Sequence, residues 1–159
     1  MTLKDQLQQT LLKMPLFSAG DETVAVGETS GQLRCRLVAL DSLACAFTRL
    51  SLAASSLSAM SVDELKQTAE RLSSRLTYLL EPISPIEIDA HGCVVQLRSH
   101  PPQKDTDGTS YYELLVSRAG EISLCRYARA SGQVRQIIPA HVTREVLCRL
   151  AADFVAVAS

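Results

Sequence analysis

The chain has 159 residues, of which 47% are hydrophobic and 21% charged, a composition typical of one folded domain and unlike that of disordered chains. Sixteen basic residues against seventeen acidic residues give a net charge of −1, which disfavours general nucleic-acid binding and attachment to anionic membranes. Aromatic residues make up only 4% and Trp is absent, so a surface for stacking bases is not expected either.

The N-terminal segment does not have the pattern of an export signal. Asp5 and three glutamines interrupt its first nine residues, where a secretory signal would place a continuous apolar stretch. No run approaches the roughly 20 apolar residues that a membrane span requires. We therefore expect a soluble protein without a membrane partner.

The cysteines predict a reducing compartment. Their number is odd, at least ten residues separate any two, and no C-x-x-C pair occurs, so neither a zinc knuckle nor a redox pair is indicated. Cysteine is among the most often buried residue types, and we expect free, buried thiols, no metal or other cofactor, and a cytoplasmic location. The five cysteines are Cys35, Cys45, Cys93, Cys125 and Cys148.

Apolar residues recur every three or four positions over residues 3–14 and predict a short amphipathic helix, which Pro15 ends. Residues 18–32 contain three glycines and several acids and predict a loop around a short strand at Thr23–Val26. We expect this N-terminal part, residues 1–32, to be the segment that can pack loosely on the rest.

Residues 33–52 predict two strands. Apolar and polar residues alternate over residues 33–40, Asp41-Ser42 is favourable turn chemistry, and residues 45–52 give a returning strand. A helix is the alternative for residues 40–59, because their apolar positions also fit a 3.6-residue period. We favour the two strands.

Residues 62–80 carry a strong helix pattern. Ser61 and Glu64 form a capping box, and a leucine-rich stripe predicts the buried side. Pro82 ends the pattern, because the residue before proline avoids the helical region. The stripe consists of Leu65, Ala69, Leu72, Leu76, Leu79 and Leu80.

The C-terminal half predicts two hairpins, an edge strand and a final helix capped by Thr143. Asp89, His91 and Cys93 in the first hairpin are all possible metal ligands, but Gly92 favours a tight turn over a metal site. The predicted strands are 86–89, 93–98, 111–117, 122–127 and 134–138, and the helix covers 143–156.

These elements predict an α+β fold with a single antiparallel sheet packed by two or three helices, because strands joined by short turns pair antiparallel. The expected order is α-β-β(-β)-α-β-β-β(-β)-α. No internal repeat or low-complexity linker is present, and we expect residues 1–159 to form one domain.

Motifs for common catalytic chemistry are absent. The sequence contains no phosphate-binding loop, no G-x-G-x-x-G and no G-x-S-x-G, which disfavours nucleotide hydrolysis, dinucleotide redox chemistry and serine hydrolysis of the usual types. His141, Glu145 and Cys148 would share a helical face and are the candidates for a metal site or a cysteine nucleophile with a histidine base. Their alternative role is structural, with Cys148 in the core.

Tyrosines and arginines mark a candidate interaction surface. Tyr111 and Tyr112 are adjacent, so in a strand they point to opposite faces, and one of them can cover an interface with Tyr127. Arg126 and Arg129 lie on the neighbouring predicted strand, and Tyr and Arg are enriched in interface hot spots. Core packing of both adjacent tyrosines, with a helix on each face, is the alternative.

Several stretches resemble an uncharacterised family of bacterial, planctomycete proteins. The resemblance covers residues 33–156 approximately, implies a bacterial cytoplasmic setting and brings no activity. The stretches are Leu76-Thr77-Tyr78-Leu79-Leu80-Glu81-Pro82, Val95-Gln96-Leu97-Arg98-Ser99, Ser110-Tyr111-Tyr112-Glu113 and Leu124-Cys125-Arg126-Tyr127. The order helix, strands, helix, strands, helix is similar to that of class I type III secretion chaperones, small dimers that bind extended segments of partner proteins.

The sequence therefore favours a small non-catalytic protein-interaction, adaptor or chaperone-like module that forms a homodimer and binds another polypeptide through a sheet face or the groove beside it. The near-zero net charge tolerates such association. The alternative is an enzyme or small-ligand-binding protein that uses a pocket between the sheet and the long helix, with Cys148, His141 and Glu145 in the site.

Overall fold

A computed structural model of residues 1–159 contains four helices and ten strands, and it confirms the predicted α+β class. The helices are α1 (Leu3–Lys13), α2 (Ser55–Ser58), α3 (Val62–Arg75) and α4 (Arg144–Ala158). The strands are β1 (Glu22–Glu28), β2 (Gly31–Leu40), β3 (Ala44–Ala54), β4 (Ile83–Asp89), β5 (Val94–Ser99), β6 (Gln103–Asp105), β7 (Gly108–Ser117), β8 (Glu121–Ala130), β9 (Gln136–Ile138) and β10 (Ala140–Thr143).

All strands belong to one antiparallel sheet, in which the main order is β1-β2-β3-β8-β7-β5-β4. The contact between β3 and β8, where Leu50 pairs with Leu124, joins the N-terminal and C-terminal halves of the sheet. β1 and β4 are the two edges of this order, and β6 adds to β7. The two predicted hairpins of the C-terminal half are confirmed as β4–β5 and β7–β8.

Strands β9 and β10 fill the space where β3 and β8 diverge. β9 pairs with β8 through Ile138 and Arg126, and β10 pairs with β3 through Ala140 and Phe47. The edge strand predicted from the sequence ends at residue 138, before Pro139, so the prediction does not include β10. Proline cannot donate a ladder hydrogen bond, but here it lies at the junction where the chain moves from one partner strand to the other.

The helices cover one face of the sheet. Leu11 of α1, Leu72 of α3 and Phe154 of α4 belong to one cluster of 35 buried apolar residues, together with the strand residues that face them. Alternation along β7 places Tyr112 in this core, whereas Tyr111 lies outside the cluster on the opposite face. None of the four helices is long and apolar enough to cross a membrane.

The strands predicted in the N-terminal half are confirmed, but two of them are longer than predicted. β3 continues to Ala54, and only the single turn of α2 is helical in residues 40–59, so the two-strand interpretation is correct. The short strand predicted at Thr23–Val26 is longer, since β1 pairs with β2 over its whole length. In the N-terminal helix, Leu7 and Leu11 are buried against α4 and the sheet.

The long helix begins as predicted but ends earlier. Ser61 and Glu64 form the capping box, yet α3 stops at Arg75 instead of residue 80. Leu76 and Leu79 are still buried, which explains why the stripe looked continuous. Leu80 is not buried: it adopts a left-handed backbone conformation with φ of 64° and is 91% exposed.

Polar contacts hold the segment that follows α3 in place. The Tyr78 hydroxyl donates to the buried Asp153 of α4 at 2.6 Å, and Arg75 donates to the same carboxylate at 3.1 Å. The guanidinium of Arg149 lies over the Tyr78 ring, 4.2 Å from its centroid. Burial and the Asp153 carboxylate both raise the pKa of Tyr78, so its hydroxyl stays a donor.

We predict that Tyr78→Phe lowers the free energy of unfolding by about 1–2 kcal/mol, because the buried Asp153 carboxylate then loses one donor. Urea denaturation measures the change. Tyr127→Phe is the matched control, since the Tyr127 hydroxyl makes no hydrogen bond within the chain. Equal losses in the two variants would contradict the assigned role of Tyr78.

Candidate interaction surfaces

The face of the sheet opposite the helices, called the open face below, has no covering layer. Its register aligns Arg34, Ser51, Ser123, Leu115 and Gln96 in one row across five strands. At the next open-face positions, Arg36 pairs with Arg49 across β2 and β3, and Glu113 of β7 pairs with both Cys125 of β8 and Arg98 of β5. Polar side chains therefore alternate with the apolar core positions along each strand, as expected for a sheet packed on one side.

Arg36 and Arg49 lie directly opposite each other on β2 and β3, an arrangement that is repulsive by itself. Each has its own carboxylate partner: Asp21 accepts from Arg36 at 2.5 Å, and Glu121 pairs with Arg49. The hydrogen bond from Arg36 lowers the pKa of Asp21, which keeps that carboxylate charged.

Glu113 is the buried centre of the open face. It accepts a hydrogen bond from Arg135 at 2.5 Å and lies 3.4 Å from Arg98. The same two guanidinium groups cover tyrosine rings, Arg98 over Tyr111 at 4.4 Å and Arg135 over Tyr127 at 3.9 Å. Arginines from β5 and from the segment before β9 thus bury a carboxylate and two rings where no second layer exists.

A second cluster lies on the helix side of the same strands. Arg126 stacks on Tyr112 at 4.5 Å and forms an ion pair of 3.0 Å with Glu81. Ser99 donates to Glu81 at 2.8 Å and accepts from the Tyr112 amide at 2.8 Å. Its hydroxyl connects the segment after α3 to the sheet, while Arg126 also donates to Ser110 at 3.0 Å.

The predicted interaction residues fall into two groups, those held in contacts within the chain and those that remain accessible. Tyr111, Tyr112 and Arg126 lie in intramolecular clusters; both tyrosines are buried, and the Arg126 side chain is 14% exposed. Tyr127 is half-buried on the open face, and Arg129 is exposed and donates to the Gln133 carbonyl at 3.0 Å. The alternative with a helix on each face does not apply, because the helices cover one face only.

The three predicted catalytic residues do not lie together in the structure. His141 lies in β10, so it cannot share a helical face with Glu145 and Cys148, which belong to α4. Glu145 and Cys148 line a crevice of about 420 Å³ between α1 and α4, and His141 lines a different cavity. Burial raises the pKa of the Cys148 thiol, although Lys4 and Arg144 oppose the shift. A raised pKa is the opposite of what a cysteine nucleophile requires.

The possible metal ligands of the first hairpin serve its turn. Asp89 accepts a hydrogen bond from the Gly92 amide at 2.9 Å, and the Cys93 thiol is directed to the Ala90 carbonyl at 3.4 Å. Cys93 is buried with φ of 54°. These contacts confirm the turn, and all five cysteines are free and buried as predicted.

A groove of about 650 Å³, which was not predicted from the sequence, lies at one end of the open face. Its floor contains the small side chains of Ala39 on β2 and Ala46 on β3, which pair with each other. Ala46 also pairs with His141 of β10. The groove is lined by Leu16, Phe17, Ser18, Ala39, Leu40, Asp41, Ala44, Cys45, Ala46, His141, Val142 and Thr143.

The walls of this groove come from segments that sequence periodicity does not reveal. The Phe17 amide donates to the Leu40 carbonyl at 2.9 Å, and the Leu40 amide donates back at 2.8 Å, which fixes residues 16–18 along β2. The opposite wall is β10, which was not predicted. The small residues Ala39, Ala44 and Ala46 were the available signal in the sequence, but the depth of the groove depends on these two walls.

No family model, curated protein or solved structure matches this chain.

We predict slow alkylation of Cys148 in the native protein at neutral pH. Its raised pKa leaves less thiolate than in the unfolded chain, so the rate should rise only at a pH above the roughly 8.5 of a free thiol. Iodoacetamide labelling followed by mass spectrometry measures the rates of all five cysteines. Faster labelling of Cys148 than of the same residue in urea would support a nucleophile and contradict this account.

Proposed function

We propose that the protein is a non-catalytic interaction module that binds another polypeptide, with an apolar side chain of the partner inserted into the alanine-floored groove of the open face. The groove itself is the observation that carries this proposal. Eight of its twelve lining residues are hydrophobic, and it opens on the face that no helix covers. A concave and largely apolar site of this kind is typical of binding sites.

The dimensions of the groove fit a large side chain. It spans three neighbouring strands, which lie about 4.8 Å apart, so its floor is about 10 Å wide. Leu16 in one wall is 58% exposed, and Leu43, in the turn between the lining residues Asp41 and Ala44, is 78% exposed. These leucines extend the apolar surface beyond the groove.

The rim supplies a polar group for a partner backbone. Asp41 and Thr143 are already used, since Asp41 accepts from the Ala44 amide at 2.6 Å and Thr143 caps α4 through the Val146 amide at 3.0 Å. The imidazole of the exposed His141 makes no hydrogen bond within the chain. It can donate to or accept from an extended segment that crosses the groove.

Two further features support this proposal. The order predicted from the sequence, helix, strands, helix, strands, helix, resembles that of class I type III secretion chaperones, which bind extended segments of partner proteins. Five free, buried cysteines suit a reducing compartment such as the cytoplasm. Tyr111, Tyr112 and Arg126 are held in contacts within the chain, and Tyr127 and Arg129 remain candidates for contact with a partner.

We also propose a homodimer, which the net charge of −1 favours because self-repulsion is small. Native mass spectrometry on protein purified without tags or chelators measures the assembly. We expect twice the chain mass with no added component. A monomer that carries a metal or a co-purified small molecule would contradict this proposal and favour the small-ligand alternative.

The groove can be tested by filling it. We expect the wild-type protein to enhance the fluorescence of 1-anilinonaphthalene-8-sulfonate, a dye that reports exposed apolar surface, and Ala39→Phe to remove most of the enhancement. Ala53→Phe is the matched control, because Ala53 is exposed on the open face of β3 outside the groove.

Thermal denaturation checks that both variants fold. Equal dye binding by the wild type and Ala39→Phe would overturn the assignment of the groove.

A further inference from the structure

The edge strand β4 has a free side. It pairs only with β5, so the backbone groups along its other side have no partner in the sheet. Proteins commonly protect such edges against unwanted pairing with charges, proline or a bulge. β4 has all three, since Pro85 and a register shift before Glu87 interrupt it, and Glu87 and Asp89 are exposed.

Protection alone does not explain the apolar side chains of this edge. Ile86 is 47% exposed and Ile88 is 39% exposed. Leu80, which lines a crevice with Pro82 and Ile83 at the beginning of β4, is 91% exposed. A strand that is only protected would carry polar residues at these positions.

Leu80 is held in place although its side chain contributes nothing to the core. Its φ of 64° lies in the left-handed region, which glycine adopts freely and leucine does not. Tyr78 is fixed to Asp153 on one side, and Glu81 is fixed to Arg126 and Ser99 on the other. The chain therefore presents an aliphatic side chain to solvent on a firmly attached segment.

The charges of β4 indicate which kind of strand can pair with its free side. In an antiparallel β4–β4 pair centred on Ile88, Glu87 of each copy would face Asp89 of the other, and like charges across strands are destabilising. The other edge strand, β1, carries Glu22 and Glu28 and is also unsuitable as a partner. A strand with basic residues meets neither obstacle.

We infer that β4 binds an extended segment of a partner polypeptide in which lysine or arginine alternates with aliphatic residues. This inference rests on the proposed binding of polypeptides and assigns it a second surface. Ile88 pairs with the core residue Val95, so its side chain points to the helix side, whereas Glu87 pairs with Gln96 of the open face. The added strand would place its aliphatic residues beside Ile88 and its basic residues beside Glu87 and Asp89.

A synthetic peptide of about ten residues, the usual length range of a strand, tests this inference. It alternates lysine and valine and carries a fluorescent label; a glutamate–valine peptide is its counterpart. We expect the lysine peptide to bind in fluorescence anisotropy, the glutamate peptide not to bind, and Glu87→Lys with Asp89→Lys to raise the Kd about tenfold.

Glu22→Lys with Glu28→Lys makes the same charge change on the other edge and should leave the Kd unchanged. Leu80→Gly should weaken binding without lowering the Tm, because glycine tolerates the left-handed conformation. Equal binding of the two peptides, or wild-type affinity after the β4 charge reversal, would overturn the inference.

The groove proposal and the β4 inference can be tested independently. Ala39→Phe blocks the groove but should leave the Kd of the lysine peptide unchanged. If the lysine peptide instead loses affinity in Ala39→Phe and keeps it after the β4 charge reversal, the β4 inference is wrong and the groove proposal stands. The dye assay for the groove compares Ala39→Phe with Ala53→Phe, and both variants leave β4 unchanged.

Discussion

The sheet is covered by helices on one face only, and most features of this protein depend on that asymmetry. Strands alternate their side chains, so half of the residues of a ten-stranded sheet face a side on which no second layer exists. Those residues have to shield one another. Arginine suits this purpose, because its planar guanidinium can lie flat on an aromatic ring and bind a carboxylate at the same time.

All four tyrosines of the chain lie beneath an arginine, two on the open face and two on the helix side. Glu113 illustrates the result, since it is buried and paired with both Arg98 and Arg135. Where the open face carries alanines instead, at Ala39 and Ala46, the small side chains leave a groove between residues 16–18 and β10. The groove and the arginine clusters are thus two outcomes of the same one-sided packing.

Local patterns predicted the parts of the fold that local forces determine. The capping box of Ser61 and Glu64, the two C-terminal hairpins and the opposite faces of Tyr111 and Tyr112 all follow from spacing and turn chemistry. The fold class followed from the antiparallel pairing that short turns impose.

The predictions that were wrong or incomplete concern features that depend on contacts between residues far apart in the sequence. α3 ends at Arg75, and the segment after it is held by Tyr78, which binds Asp153, 75 residues further along the chain. β10 exists because β3 and β8 diverge, which no local pattern indicates. For the same reason the groove could not be predicted, and the spacing of His141, Glu145 and Cys148 suggested a shared face that the strand at His141 prevents.

Selection of random peptides on the wild-type protein, with counter-selection on Ala39→Phe, tests the groove most directly. We expect enriched peptides that share a large aliphatic or aromatic residue and that lose their affinity for Ala39→Phe while they retain it for Ala53→Phe. Enriched peptides that bind the wild type and Ala39→Phe equally well would contradict the role of the groove in binding.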